Sequence, residues 1–246
     1  MLSQSIFILL PLLVVAQNTL PDFVKTCKRY DPNLLKCLQE SFADVLSRMA
    51  NGIPEMGLRP IDPATVEQTH LVFGNNSAIN MDINMINPKI YGCMASTLRD
   101  GLFDIDKGIY EMEFLIPEIY MISEFKGNGN VLMIKINSNG VIRVNTTNCV
   151  VTAKWDGKYY EKDGEEHMKL ENFVMDVMIE KIYVDVEGLF GGNKDLQRAT
   201  NKLINENVDV LYEEMKPVIL QFVKSFAFEA NSNVFDAFPM RVLFPK

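Results

Sequence analysis

KDLQRATNKLINENVDVLYEEMKPVILQFVKSFAFE, residues 194–229, is the stretch on which the fold turns. Leu196, Thr200, Leu203, Ile204, Val208, Leu211, Met215, Val218, Ile219, Phe222 and Phe226 recur at the three- and four-residue spacing that puts side chains on one side of an α-helix. Lys202, Glu206, Asp209, Glu213, Lys216 and Lys224 lie largely opposite. The spacing predicts one helix of about 50 Å at 1.5 Å per residue. Pro217 has no backbone N–H to give, so a kink is expected between Glu213 and Pro217. No strict heptad is sustained, which argues against a coiled coil.

Upstream, from about residue 65 to 190, the period falls to two. Ile79, Met81, Ile83 and Met85 alternate with Asn80, Asp82 and Asn84, and Tyr110, Met112, Phe114 and Ile116 alternate with Glu111 and Glu113. Leu132, Ile134 and Ile136 make a third strand, expected to end at Ser138-Asn139-Gly140, with Ile142 and Val144 beyond the turn. Asn128-Gly129, Asp156-Gly157 and Asp163-Gly164 read as further hairpins. Met178, Ile182, Val184 and Val186 share a register against Asp185 and Glu187, with Glu180 the exception. The result is a long antiparallel meander with one apolar face. A single helix is too narrow to cover that face if the sheet stays flat. The expected architecture is therefore α+β, with a highly curved antiparallel sheet wrapped around one long C-terminal helix. Such a wrap need not fill its own interior, so an elongated apolar cavity is expected with it.

The other end of the chain sets the compartment. Ile6 to Val15 is a run of ten uncharged residues interrupted only by Pro11, and Val14 and Ala16 stand at the −3 and −1 positions of a cleavage site before Gln17. It is too short to span a bilayer. The expectation is a signal peptide over residues 1–16 and a single secreted domain over 17–246; a buried N-terminal strand is the alternative. Residues 33–51 predict a second helix, with Leu34, Leu35, Leu38, Phe42, Val45, Leu46 and Met49 on one broad face, stopped by Gly52 and Pro54. GIPEMGLRPIDP, residues 52–63, is too rich in proline and glycine for helix or regular sheet.

In an oxidising compartment four cysteines are most simply two bridges. Cys27 and Cys37 flank KRYDPNLLK, whose Asp31-Pro32 can turn the chain back, and closing so short a loop is worth roughly 2–3 kcal/mol. Cys93 and Cys149 pair by elimination. Zinc is a poor alternative, since no Cys-x-x-Cys spacing occurs and only two histidines are present. Asn75 and Asn145 head glycosylation sequons, used or bare.

With 24 basic and 32 acidic residues the net charge is −8, which disfavours nucleic acid and anionic membrane surfaces as partners. Catalytic chemistry finds little to work with. His70 in THLVF and His167 in DGEEHMKL are isolated, no Gly-x-Ser-x-Gly elbow exists, and Asp104-Ile105-Asp106-Lys107-Gly108 lacks the later ligands of a calcium loop. No catalytic residue, metal site or cofactor is expected. Fourteen methionines and fifteen phenylalanines instead suit a core or an adaptable apolar cavity.

The ordered set of segments LPDFVKTCKRYDPNLLKCL (20–38), GIPEMGLRPIDP (52–63), Pro117 to Gly127 with VLMIKINSNG behind it, GLFGGNKDLQRATNKLINEN (188–207) and the closing RVLFP resembles the insect takeout / juvenile-hormone-binding protein family across nearly the whole mature chain. The chain departs from the family pattern at YGCMASTL (91–98), and at MIKINSNG, where Lys135 stands in place of proline. The resemblance implies a curved sheet wrapping a long helix, a bridge between Cys27 and Cys37 near one end of the cavity, and a monomeric carrier in haemolymph or another extracellular fluid. Its partner would be a small hydrophobic ligand (terpenoid, fatty acid or similar lipid), with no stable membrane insertion. The residues expected to line the cavity are Met81, Ile83, Met85, Met112, Phe114, Leu132, Ile134, Phe222 and Phe226, with opening for entry near the N-terminal helix and linker. The competing expectation is an extracellular signalling or interaction protein acting on a receptor through its surface, its apolar interior only structural.

Overall fold

The computed structural model describes residues 19–65, 68–74 and 78–246; the expected signal peptide and the Asn75 sequon lie outside them. In chain order the elements are α1 (Leu34–Leu46), β1 (Ala64–Thr65), β2 (Gln68–Phe73), β3 (Ile79–Tyr91), β4 (Thr97–Asp104), β5 (Ile109–Val131), β6 (Ile134–Lys162), β7 (Glu165–Glu187), α2 (Lys194–Glu206), α3 (Val208–Ala237) and α4 (Met240–Leu243). The seven strands form one antiparallel sheet in the order β1-β3-β5-β6-β7, with β2 also on β3 and β4 also on β5. The sheet is not closed, and the long helix near the C-terminus lies against it, as the two periodicities require.

Strand length is where sequence and structure part. Asn128-Gly129, Ser138-Asn139-Gly140 and Asp156-Gly157 are not turns but lie inside β5 and β6, which pair from Ile109↔Asp156 to Val131↔Ile134. The glycines serve close approach there. A Cβ on Gly140 would stand 1.8 Å from the Glu187 carbonyl oxygen of β7. The true turns are Leu132-Met133 and Asp163-Gly164. Leu132 is thus a turn residue with φ 54°, beside Met133 at 98% exposure, rather than the start of a strand.

A crease crosses the sheet at Pro117, Asn148 and Glu180. Asn148 has φ 51°, a left-handed conformation that asparagine tolerates, and Pro117 opposite it has no N–H to pair. Register is kept on both sides, with Ile116↔Cys149↔Ile179 and Glu118↔Thr147↔Lys181. The facing nevertheless switches. Tyr110, Cys149, Val151, Trp155, Phe173 and Val177 are buried before the crease, and Ser123, Phe125, Ile136, Thr146 and Val186 beyond it. Met178 consequently points outward at 60% exposure and does not share a face with Val184 and Val186.

The helical stretch is also divided differently. Helix breaks at Asn207, not at Pro217, which is carried inside α3; α3 runs on to Ala237. At Asn207 φ is −121°, and its side-chain amide donates to Leu203 O at 2.8 Å. α3 is stitched to β7 by the Tyr212 hydroxyl donating to Val177 O at 2.8 Å and by Lys216 against Asp176 at 2.8 Å. Glu214 ties it to β3 by accepting from the N–H groups of Ala78 (2.7 Å) and Ile79 (3.0 Å).

The outer edge of β7 has no strand beyond it. Side chains of α2 take that place. Val184 N–H donates to Asn205 Oδ1 at 2.8 Å, and the Asn205 amide donates back to Val184 O at 2.7 Å. Asn201 repeats the pattern on Val186 at 3.0 and 3.2 Å, and Gly188 N–H donates to Gln197 Oε1 at 3.2 Å. The spacing of four residues puts all three amides on one helix face.

Cys27 and Cys37 are bonded, tying the N-terminal arm to α1. The second expected bridge is absent. Cys93, half-buried in the turn after β3, and Cys149, buried in β6, are both free thiols. Gly140→Ala should destabilise the fold by roughly 3 kcal/mol, because β6 and β7 must part to admit the methyl group. Urea unfolding of both proteins, read by circular dichroism, checks this.

Candidate functional site

Apolar side chains gather in three closed clusters. One holds Phe73, Met81, Met85, Phe125, Ile136, Val186, Leu189, Ile204 and Leu211, at the α2 end of the sheet. A second holds Tyr110, Trp155, Met168, Phe173, Phe235 and Met240. The third lies under α1, where Leu46, Met49, Ile53, Met56 and Phe238 meet Phe42 of α1 and Phe226 and Val234 of α3. α3 packs along β7 and α1 against β4, so β5 and β6 form the floor between two walls. Leu211 and Phe235 belong to the first and second plugs, and the helix rise sets them roughly 36 Å apart.

Between these plugs the packing is different. From Tyr212 to Val234 no residue of α3 is fully buried, although this run contains Val218, Ile219, Leu220, Phe222, Val223 and Phe226. On the inward face of the sheet Met112, Phe114, Ile116, Met121 and Met175 are likewise only half-buried. A packed interior would close side chains of this kind on all sides. The half-buried apolar side chains of α3 and the sheet thus make a trough-like strip between the two end clusters, packed in part against them.

The expected lining residues are spread along the whole of this length. Met81 and Met85 are buried in the first cluster, with Ile83, Leu132 and Ile134 packed against it. Met112 packs against the second cluster. Phe114 lies with its ring 5.0 Å from Phe42 of α1, Phe226 is in the third cluster, and Phe222 is 37% exposed on α3. Ile116, Met121, Met175 and Val223 were not anticipated. Met121 and Met175 lie beyond irregular positions of the sheet, where simple alternation loses its phase, whereas Ile116 keeps the alternation of Tyr110, Met112 and Phe114.

Several polar groups in and around the trough are satisfied locally, while the buried Trp155 Nε1 of the second cluster has no hydrogen-bond partner. Ser123 donates to main-chain carbonyls, with Ile86 O at 3.1 Å and Glu124 O at 2.7 Å. Tyr110 and Tyr159 share a hydrogen bond of 3.1 Å, and the Tyr159 hydroxyl donates to Ile105 O. Burial, together with the Tyr159 contact, holds the Tyr110 hydroxyl above its ordinary range, so it stays neutral. His167 is 2% exposed with Nδ1 3.3 Å from Phe235 O, whereas His70 pairs with Asp82 on the surface at 2.8 Å. The two histidines are not brought together. Among the described residues, no group of three or more His, Cys, Asp or Glu could hold a metal ion.

Two shallow grooves mark the outside. One of about 520 Å³ lies over the crease, lined by Leu115, Val150 and Met178 with Arg99 and Glu180. Another of about 490 Å³ runs between β7 and α2, past Tyr183, Asp185, Arg198 and Lys202. Asn145 stands on the outer face opposite Tyr120 and Tyr183, its amide donating to Glu118 at 2.9 Å.

A family model for haemolymph juvenile hormone binding protein matches residues 6–245. The chain belongs to that family. Among curated relatives, the circadian clock-controlled protein daywake of Drosophila melanogaster is 24% identical over 216 residues, covering 84% of this chain and 81% of the relative. Its Drosophila yakuba counterpart is 23% identical over 214 residues, covering 83% and 80%. Of solved structures, Takeout 1 of Epiphyas postvittana superposes with a TM-score of 0.78 at 16% identity, over 91% of this chain and 100% of that one. At that identity the likeness is one of fold.

The two free thiols carry a check on this environment. Burial, helped by the nearby Asp62 carboxylate and Cys149, pushes the Cys93 thiol up to about 11. Burial also raises Cys149, against a partly opposing hydrogen bond from Thr146. At pH 8 only about one Cys93 in a thousand is then thiolate, the reactive form. Iodoacetamide should label Cys93 at least a hundredfold more slowly in the native protein than in denaturant, as followed by peptide mass spectrometry.

Proposed function

We propose that the protein is a secreted carrier that holds one small hydrophobic molecule, a terpenoid, fatty acid or similar lipid, lengthwise in the trough between the sheet and α3. The observation that carries this reading is the run from Tyr212 to Val234, whose apolar side chains are nowhere fully buried and lie across from half-buried methionine, isoleucine and phenylalanine side chains of the sheet. The family's name, that of a hormone-binding protein of haemolymph, points the same way. Apolar burial at roughly 25 cal/mol per Å² would supply most of the affinity, so length and shape of the ligand would matter more than its polar groups. Methionines on the floor suit several shapes. Among the described residues no helix is long and apolar enough to cross a membrane. The reading includes removal of residues 1–16 as a signal peptide, action of residues 17–246 as a single extracellular domain, and glycan on the Asn75 and Asn145 sequons.

A second reading, recognition of a receptor by the outer surface, draws on the groove over the crease, where Leu115, Val150 and Met178 form an apolar row across three strands.

Native mass spectrometry with organic extraction, on protein secreted from insect cells, separates the two. A lipid bound at one per chain is the expected result. A bare polypeptide mass, with no uptake of terpenoid or fatty-acyl probes, would sink the carrier reading and favour the surface. Val223 offers an internal control, being half-buried and outside the three clusters. Val223→Trp should change stability by no more than about 1 kcal/mol yet weaken fatty-acyl probe binding about tenfold, because the indole takes the ligand's place. Thermal melts and fluorescence titration measure the two effects.

A further inference from the structure

We infer that Asn145 carries an N-linked glycan whose first sugars lie flat on Tyr183 and run into the groove between β7 and α2. The inference rests on the extracellular part of the reading above and is independent of what fills the trough.

Asn145 lies well inside β6, in a row of outward-facing residues that crosses four strands. Register sets Tyr91 of β3 opposite Tyr120 of β5, Tyr120 opposite Asn145, and Asn145 opposite Tyr183 of β7. The rings of Tyr91 and Tyr120 are 6.1 Å apart and pack on each other. Tyr183, on the other side of Asn145, is 60% exposed. Thr147, which completes the sequon, stands in the next row between Glu118 and Lys181.

The amide is posed for attachment. Nδ2 donates to Glu118 Oε1 at 2.9 Å, while Oδ1 is buried without a hydrogen-bond partner. Turning the amide over would set two oxygens against each other at that distance, so Glu118 fixes which atom faces out. The linkage forms between Nδ2 and C1 of N-acetylglucosamine as C1 parts from its lipid pyrophosphate, which leaves with the bonding electrons. One Nδ2 hydrogen departs as a proton, and the other keeps its bond to Glu118.

One strand spacing away, about 4.8 Å, Tyr183 opens the groove of about 490 Å³ that Asp185, Arg198, Lys202 and Glu206 also line. Two acids and two bases leave this lining without net charge, which suits a neutral, polyhydroxyl occupant. A sugar lays its apolar C–H face on an exposed ring and directs its hydroxyls to polar side chains around it. The groove over the crease, lined by Leu115, Val150 and Met178 with no aromatic ring, offers no such platform. Of the two grooves, the one that fits a glycan is the one beside the attachment point.

Protein expressed for secretion from insect cells in an Asn75→Gln background, which leaves a single sequon, provides the test. Peptide mass spectrometry should find Asn145 occupied. Tetranitromethane should nitrate Tyr183 about fivefold more slowly than in the Thr147→Val variant, which loses the sequon but keeps a β-branched side chain. Removing the glycan should lower the melting temperature by about 3 °C when Tyr183 is present, and by less than about 1 °C in Tyr183→Ser protein. A bare Asn145 in protein recovered from the medium overturns the inference and leaves secretion intact. An occupied Asn145 with Tyr183 nitrated at the same rate in both proteins overturns the docking on Tyr183. Protein that never reaches the medium overturns the extracellular reading as well. Should Tyr183→Ser fail to fold, the nitration rates alone decide.

Discussion

Three strands of 23, 29 and 23 residues carry an apolar face that one helix must cover, and the structure answers to that mismatch of widths. An α-helix with its side chains is about 10–12 Å across, while neighbouring strands stand about 4.8 Å apart. A flat sheet five tracks wide would leave much of its face wet. Curling brings β4 and β7 up as walls, lets α1 seal against one and α3 against the other, and turns the excess width into depth. The curvature needs backbone that side chains would obstruct. That is why glycine sits inside β6 at Gly140, and why asparagine takes the left-handed conformation at Asn87, Asn148 and Asn172. A helix of fixed diameter in a gutter slightly too wide for it leaves the apolar side chains between them only half-buried.

The fold class was legible because two hydrophobic periods, two and then 3.6, occupy long uninterrupted blocks of the chain. Element boundaries were less so. Asn-Gly and Asp-Gly signal a turn when the strands beside them end, and carry the same letters when the strand bends and continues. Asn128-Gly129 and Asp156-Gly157 do the latter because β3, β6 and β7 pair across them and satisfy their backbone. In the same way Pro217 looks like the weak point of the long helix. Tyr212, Glu214 and Lys216 hold that turn to the sheet, and the break moves to Asn207, which has an amide able to take over a carbonyl left by the helix.

The site was legible in character and not in position. Alternation identifies which residues of a strand share a face, but a single left-handed residue exchanges the two faces for everything downstream. Val177 and Val186 both point inward only because the crease lies between them. Nor can periodicity tell a side chain sealed inside a plug, such as Met81, from one only half-buried against it, such as Met121, since both are simply apolar on the inner face. Cys93 and Cys149 failed to pair for a related reason. An even count fixes parity, whereas bonding requires two backbones to present their thiols to each other.

An open sheet normally keeps one strand ready to recruit another, which is how globular domains polymerise edge to edge. In this fold β7 would be that strand, unaccompanied along a side 23 residues long. The amides of α2 occupy its hydrogen-bonding groups around Val184 and Val186 with a surface that cannot propagate, because a helix offers no further strand edge. The side chains that latch the helix therefore also set how crowded a fluid the protein can tolerate without self-association. A variant with weaker latches would meet its first limit at high concentration, as fibrous aggregate, well before it lost its shape.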